Sequence, residues 1–154
     1  MLEFVREKKM TSRILEQEII MKVIYAYRTY EALNMEVNLL SLIQDITNLE
    51  TSLASNLDQN EDVFEEVSLF IKEVILATLK HEEELIKLIS SRLIKWKINR
   101  LNKVTVAILL FISAEILYLN GPKAPLIDTA VSLTKRYGEE KDYSFVNAIL
   151  DKIN

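Results

Sequence analysis

The chain has 154 residues, a formal net charge of −4 and 49% hydrophobic residues, with two Gly, two Pro and no Cys. That is enough apolar material for a substantial core and too few turn formers for a sheet-rich fold. The absent Cys excludes a disulfide framework and a thiolate metal site, and makes the reducing cytosol the natural compartment.

Charge is unevenly placed. No Lys or Arg occurs between Ala32 and Glu66, where Glu36, Asp45, Glu50, Asp58, Glu61, Asp62, Glu65 and Glu66 are acidic. Arg92 to Lys103 does the reverse, with Arg92, Lys95, Lys97, Arg100 and Lys103 and no carboxylate. Such polarity favours one electrostatic face, although solvated helix faces give the same pattern. Met1 to Lys9 is charged rather than apolar, unlike a secretory leader, so residues 1–10 read as a flexible basic lead-in. The strongest apolar run, Val104 to Leu119, carries Glu115 and falls short of the roughly 20 residues that cross a bilayer.

Helical periodicity dominates in chain order. Thr11 or Ser12 can cap a first helix whose stripe is Leu15, Ile19 and Val23, flanked by Ile20, Ile24 and Tyr27, ending near Glu31 to Asn34. A second helix is predicted from Met35 to Ser55, with Val37, Leu40, Ile43, Ile46, Leu49 and Leu53 inward. A third spans Glu61 to Ile89 on Val63, Val67, Phe70, Val74, Ala77, Leu85 and Leu88, with a bend at His81 to Glu84. Asn102 caps a fourth, Lys103 to Leu119, apolar nearly all round and therefore enclosed by neighbours. Asn120-Gly121-Pro122 stops it, with Gly121 expected in the left-handed conformation. Pro125 suits the first turn of a fifth helix ending at Gly138, and Asp142 can cap a sixth through Ile153. The prediction is an all-α single domain over residues 1–154, with six or seven helices in two three-helix groups sharing a core.

Catalytic and metal chemistry find little support. His81 is the sole His; Leu85 stands where a zinc-protease pair needs its second His, and Thr78 where a di-iron site wants Glu. There is no phosphate-binding Gly-rich loop and no nucleophile elbow. Glu115, set in an apolar helix, reads as a structural carboxyl tied to a partner group. No catalytic residue, metal or cofactor is expected.

The segment from Trp96 to Lys152 resembles the carboxy-terminal half of NusB proteins. Lys95-Trp96-Lys97-Ile98-Asn99-Arg100-Leu101 is similar to that family's basic-aromatic approach to its central helix, and Val104 to Leu117 to the apolar helix with one late Glu. Leu126-Ile127-Asp128-Thr129-Ala130-Val131, continued by Leu133, Lys135 and Tyr137-Gly138, resembles the next helix. Phe145-Val146-Asn147-Ala148-Ile149-Leu150-Asp151 resembles the family's closing helix and is the most specific match. Ile24-Tyr25 adds a weaker likeness near the amino terminus.

The resemblance implies two three-helix bundles and an adaptor in transcription antitermination of ribosomal RNA operons. Such an adaptor binds single-stranded boxA RNA with the small-subunit ribosomal protein that doubles as NusE, and acts indirectly on RNA polymerase, in the cytoplasm and without catalysis. Single-stranded RNA needs cations for phosphates and rings for unstacked bases. The candidates are Lys8, Lys9, Arg13, Tyr25, Lys141, Tyr143 and Phe145. Phe145 suits base stacking and helix packing equally; Tyr25 suits packing better. Arg100, Asn102 and Thr105 are candidates for the partner face.

Departures from the pattern leave a second reading open. Ile14, Leu15, Glu16 and Gln17 replace the family's usual Arg cluster, Thr105 a common acidic residue, and Leu110 a common Arg. Fewer phosphate contacts weaken RNA binding, so a helical protein-interaction scaffold that has lost RNA is the alternative. Homodimer formation, which could cover the RNA face, also stays open.

Overall fold

The computed structural model describes the backbone of residues 2–55, 67–94 and 97–154, and their side chains except 2–12, 54–55 and 140. The described residues form seven α-helices and no strand: α1 (Leu2–Ala32), α2 (Leu39–Ser55), α3 (Leu69–Lys80), α4 (Glu82–Arg92), α5 (Lys103–Tyr118), α6 (Lys123–Tyr137) and α7 (Tyr143–Asp151). Short 3-10 turns at Ile98–Arg100 and Glu140–Asp142 precede α5 and α7. The all-helical expectation holds. The chain divides into two compact units, Met1–Lys72 and Glu73–Asn154.

In the first unit α1 packs on α2. The predicted stripe is buried at Ile19, Ile20, Val23 and Ile24. Thr11 and Ser12 fall inside α1 rather than at its start, and their side chains lie outside the described residues. Asn34 ends the helix in the left-handed region (φ 56), letting the Met35 amide donate to the Tyr30 carbonyl at 2.9 Å. Asn38 then caps α2 by accepting the Ser41 amide at 3.0 Å.

The inward face of α2 differs from the hydropathy reading. Leu40, Leu49 and Leu53 are 67%, 57% and 64% exposed, while Ile43, Thr47 and Glu50 are buried. Residues 43, 47 and 50 share one helical face, and Leu49 sits about 100° away from Glu50. The Glu50 carboxylate accepts from Lys22 Nζ of α1 at 2.7 Å, so a part-buried charge pair lies beside Ile43 and Thr47 on the buried face of α2. Val63 of the predicted third stripe lies outside the described residues.

The bend predicted at His81–Glu84 is an interruption one residue long that separates α3 from α4, with His81 as the α4 N-cap. Glu82, Glu83 and Glu84 occupy the first turn of α4, where carboxylates interact favourably with the helix dipole. The His81 ring stacks on Tyr118, with ring centroids 3.8 Å apart and planes at 14°.

In the second unit α5 is the enclosed element. Every residue from Thr105 to Glu115 is buried, and α4, α6 and α7 all pack on it. Asn102 caps it as expected, its side-chain oxygen accepting the amides of Val104 (2.9 Å) and Thr105 (3.3 Å). Asn120, not Gly121, takes the left-handed conformation after α5 (φ 52). Asn tolerates that region through its short polar side chain. Space at Gly121 is tight: a Cβ there would lie 2.5 Å from Leu126 Cδ1, the movable end of a side chain, and 3.0 Å from the fixed Glu115 carbonyl oxygen. α6 begins at Lys123, with Pro125 inside its first turn, where the missing amide costs no helical hydrogen bond. Leu126, Ala130 and Leu133 from α6 and Val146, Ile149 and Leu150 from α7 complete this core. α7 closes at Asp151 and Ile153 is buried just beyond it.

Candidate nucleic-acid interface

The carboxy-terminal candidates cluster where α6 turns into α7. Lys141 is exposed in the 3-10 turn, Tyr143 opens α7 with 41% of its surface accessible, and Phe145 is half-buried. Both expected roles of Phe145, packing and a surface for a base, remain compatible with that position. Lys135 in the last turn of α6 places its ammonium 4.4 Å from the Tyr143 ring centroid. A cation held over a ring orients both groups. Sequence reasoning passed over Lys135, which entered only as part of a helix pattern. Its spacing of eight residues from Tyr143 hides a contact that only the turn at Gly138 creates.

Asp142 departs from the expected cap. It stands at the N-cap of α7 but makes no side-chain cap hydrogen bond. Its carboxyl turns inward and accepts from the Thr105 hydroxyl at 3.3 Å. Burial raises its pKa above the usual carboxylate range, the Thr105 hydrogen bond and Lys141 oppose this, and Glu139 adds to it.

Among the partner-face candidates, Arg100 is exposed at the end of a 3-10 turn and makes no ion pair among the described residues. Asn102 is half-buried and its side-chain oxygen is used for capping α5. Thr105 is fully buried, so its contacts are internal and it has no surface with which to meet a partner. Its hydroxyl instead faces Asp142. Arg92, Lys97 and Lys103 are exposed alongside Arg100; Lys95 and Trp96 lie outside the described residues.

In the first unit, the side chains of Lys8 and Lys9 lie outside the described residues. Arg13 is exposed, but its guanidinium lies 3.5 Å from the Phe70 ring centroid and 3.8 Å from Glu16. Glu16 in turn accepts from the Ser68 hydroxyl. Arg13 is therefore oriented by a ring and partly neutralised by a carboxylate. Tyr25 is 40% exposed, so packing absorbs less of it than expected and part of its ring faces solvent. An open cleft of about 610 Å³ lined by Tyr27, Glu31, Met35, Glu36, Val37 and Asn38 carries two carboxylates, which repel phosphate.

No group of three or more His, Cys, Asp or Glu that could hold a metal occurs among the described residues. No helix among them is long and apolar enough to cross a membrane.

Comparison with known proteins agrees with this architecture. The family model described as "NusB family" matches residues 15–154. The transcription antitermination protein NusB of Clostridium tetani is 34% identical over 153 residues, covering 96% of this chain and 95% of that protein. The Clostridium perfringens protein of the same name is 39% identical over 98 residues, 62% of this chain and 73% of its own. A solved structure of T. maritima NusB superposes with a TM-score of 0.71 at 26% identity, covering 92% of this chain and 89% of that one. A structure of antitermination factors NusB and NusE in complex with dsRNA shares the fold, with a TM-score of 0.69 at 24% identity over 94% of this chain and 96% of that one. A match over nearly the whole length, in sequence and in helix arrangement alike, places the chain in the NusB family.

Proposed function

We propose that this chain is a transcription antitermination adaptor that binds boxA-type single-stranded RNA together with a NusE-type ribosomal protein. It acts in the cytoplasm, reaches RNA polymerase through that assembly, and catalyses no reaction. The observation that carries the reading is the edge formed by Lys135, Lys141 and the half-exposed Tyr143 at the start of α7. Cations for phosphates beside a ring for a base are what unstacked RNA requires. Family membership supports it, since relatives are named antitermination proteins and a structural neighbour holds NusE and RNA. The test is titration of labelled boxA RNA, with and without the ribosomal protein, across a salt series. Salt-sensitive binding that tightens with the partner is expected. No binding at low salt even with the partner present refutes the reading.

A second reading has its own observation. The first helix lacks the Arg cluster, and Arg13, which remains, is engaged by Phe70 and Glu16. A scaffold that binds the ribosomal protein without RNA would show partner affinity that added RNA leaves unchanged.

A further inference from the structure

Thr105 and Asp142 are buried polar residues whose side chains meet between α5 and the turn ahead of α7. An Asp ahead of a helix ordinarily turns outward to accept the first amides. Asp142 turns inward to the Thr105 hydroxyl of α5 instead, although it sits between Lys141 and Tyr143 in the chain. Thr105 is itself well fixed. It is fully buried, its amide donates to the Asn102 cap, and its β-branched side chain has few rotamers. Gly138 leaves the room it needs, since a Cβ there would lie 2.8 Å from Thr105 Oγ1.

We infer that the Thr105–Asp142 hydrogen bond ties the segment ahead of α7 to the enclosed helix α5, making both positioning residues that aim Lys141 and Tyr143 at RNA. The inference rests on the RNA reading and goes beyond it in naming what holds the contact groups in place. α5 is the most enclosed helix of its unit, and the 3-10 turn Glu140–Asp142 has a single side-chain anchor to it among the described residues. Loss of that anchor lets Lys141 swing away from the phosphate track, while the cores of α6 and α7 stay packed.

The test compares the full-length protein with Thr105→Val, Thr105→Ser, Lys141→Ala and the double variant Thr105→Val/Lys141→Ala. Each is titrated with labelled boxA RNA over a salt series, with thermal melting in parallel. Thr105→Val should weaken binding about 3- to 10-fold, the range of one hydrogen bond. The slope of log affinity against log salt should become shallower by about 0.7, the value of one lost phosphate contact on a single strand. Thr105→Ser should restore both. In the Lys141→Ala background, Thr105→Val should cost little more, because the two act through one contact. A purely structural effect lowers the folded fraction and leaves the slope unchanged. A wild-type slope in Thr105→Val, or a cost that adds in full to Lys141→Ala, overturns the tie and leaves the RNA reading standing. Wild-type protein that binds no RNA overturns both. Should Thr105→Val fail to fold, Asp142→Ala breaks the same bond from its other side and is judged by the same slope.

Discussion

Replacing Gly138 by Ala tests the packing beneath the candidate RNA edge. The backbone there is extended (φ −95, ψ −160), so Ala is not strained by its dihedrals. The added methyl meets Thr105 Oγ1 at 2.8 Å and the Thr134 carbonyl at 3.2 Å, where ordinary contact begins at 3.4 Å. Thr105 is fully buried and its hydroxyl is held by Asp142 at 3.3 Å, which limits how far it can give. Overpacking of this kind costs about 1–3 kcal/mol, offset by about 0.4–1 kcal/mol from the less flexible unfolded chain. The net loss is on the order of 1–2 kcal/mol, or a melting point lower by about 2–8 °C for a chain of this length. Thermal melts of Gly138→Ala, Thr105→Ala and the double variant separate the causes. Removing Oγ1 should relieve more than half of the Gly138→Ala penalty. An unchanged melting point in Gly138→Ala, or an equal penalty in both backgrounds, refutes the reasoning.

Asn102→Ala removes the α5 cap and should destabilise by about 1 kcal/mol in chemical denaturation. The raised pKa of Asp142 means the folded state holds its proton more tightly than the unfolded chain, so ionisation costs stability near neutral pH. That cost is relieved as pH falls through the folded value toward about 3.9, and Asp142→Asn should flatten this part of the denaturation profile. Burial, then the hydrogen bond and the charge of Glu84, raise the Tyr118 phenol above its usual value. Its contribution is intact below about pH 10 and is lost as pH rises through the raised value; tyrosinate absorbance should lose a late-titrating component in Tyr118→Phe.

Much of the helical plan was legible because it rests on residues with one strong local preference. Asn102 ahead of an apolar run, and the Asn120-Gly121-Pro122 stop, allow few other structures. The rotation of α2 was not legible. Hydropathy ranks Leu49 and Leu53 above Thr47 and Glu50, and it does not see the long-range pairing of Glu50 with Lys22 on the buried face. The site was legible in part. Lys141, Tyr143 and Phe145 are close in sequence and stay close in space, whereas Lys135 reaches Tyr143 only through the turn between α6 and α7. Asp142 looked like a cap because its preferred local role is one; a partner 37 positions away outcompeted that role. Thr105 looked like a surface residue by family position, and its burial follows from the enclosure of α5 on the side facing Gly138.

The enclosure of α5 has a kinetic corollary. From Ala107 to Ala114 every residue is buried, so solvent reaches those amides only when the surrounding helices come apart. Deuterium should enter this stretch last, at a rate set by cooperative opening of the whole unit rather than by local fraying. The exchange clock of α5 therefore reads the unit's global unfolding free energy directly, and a ligand that grips its neighbours would register there even without touching it.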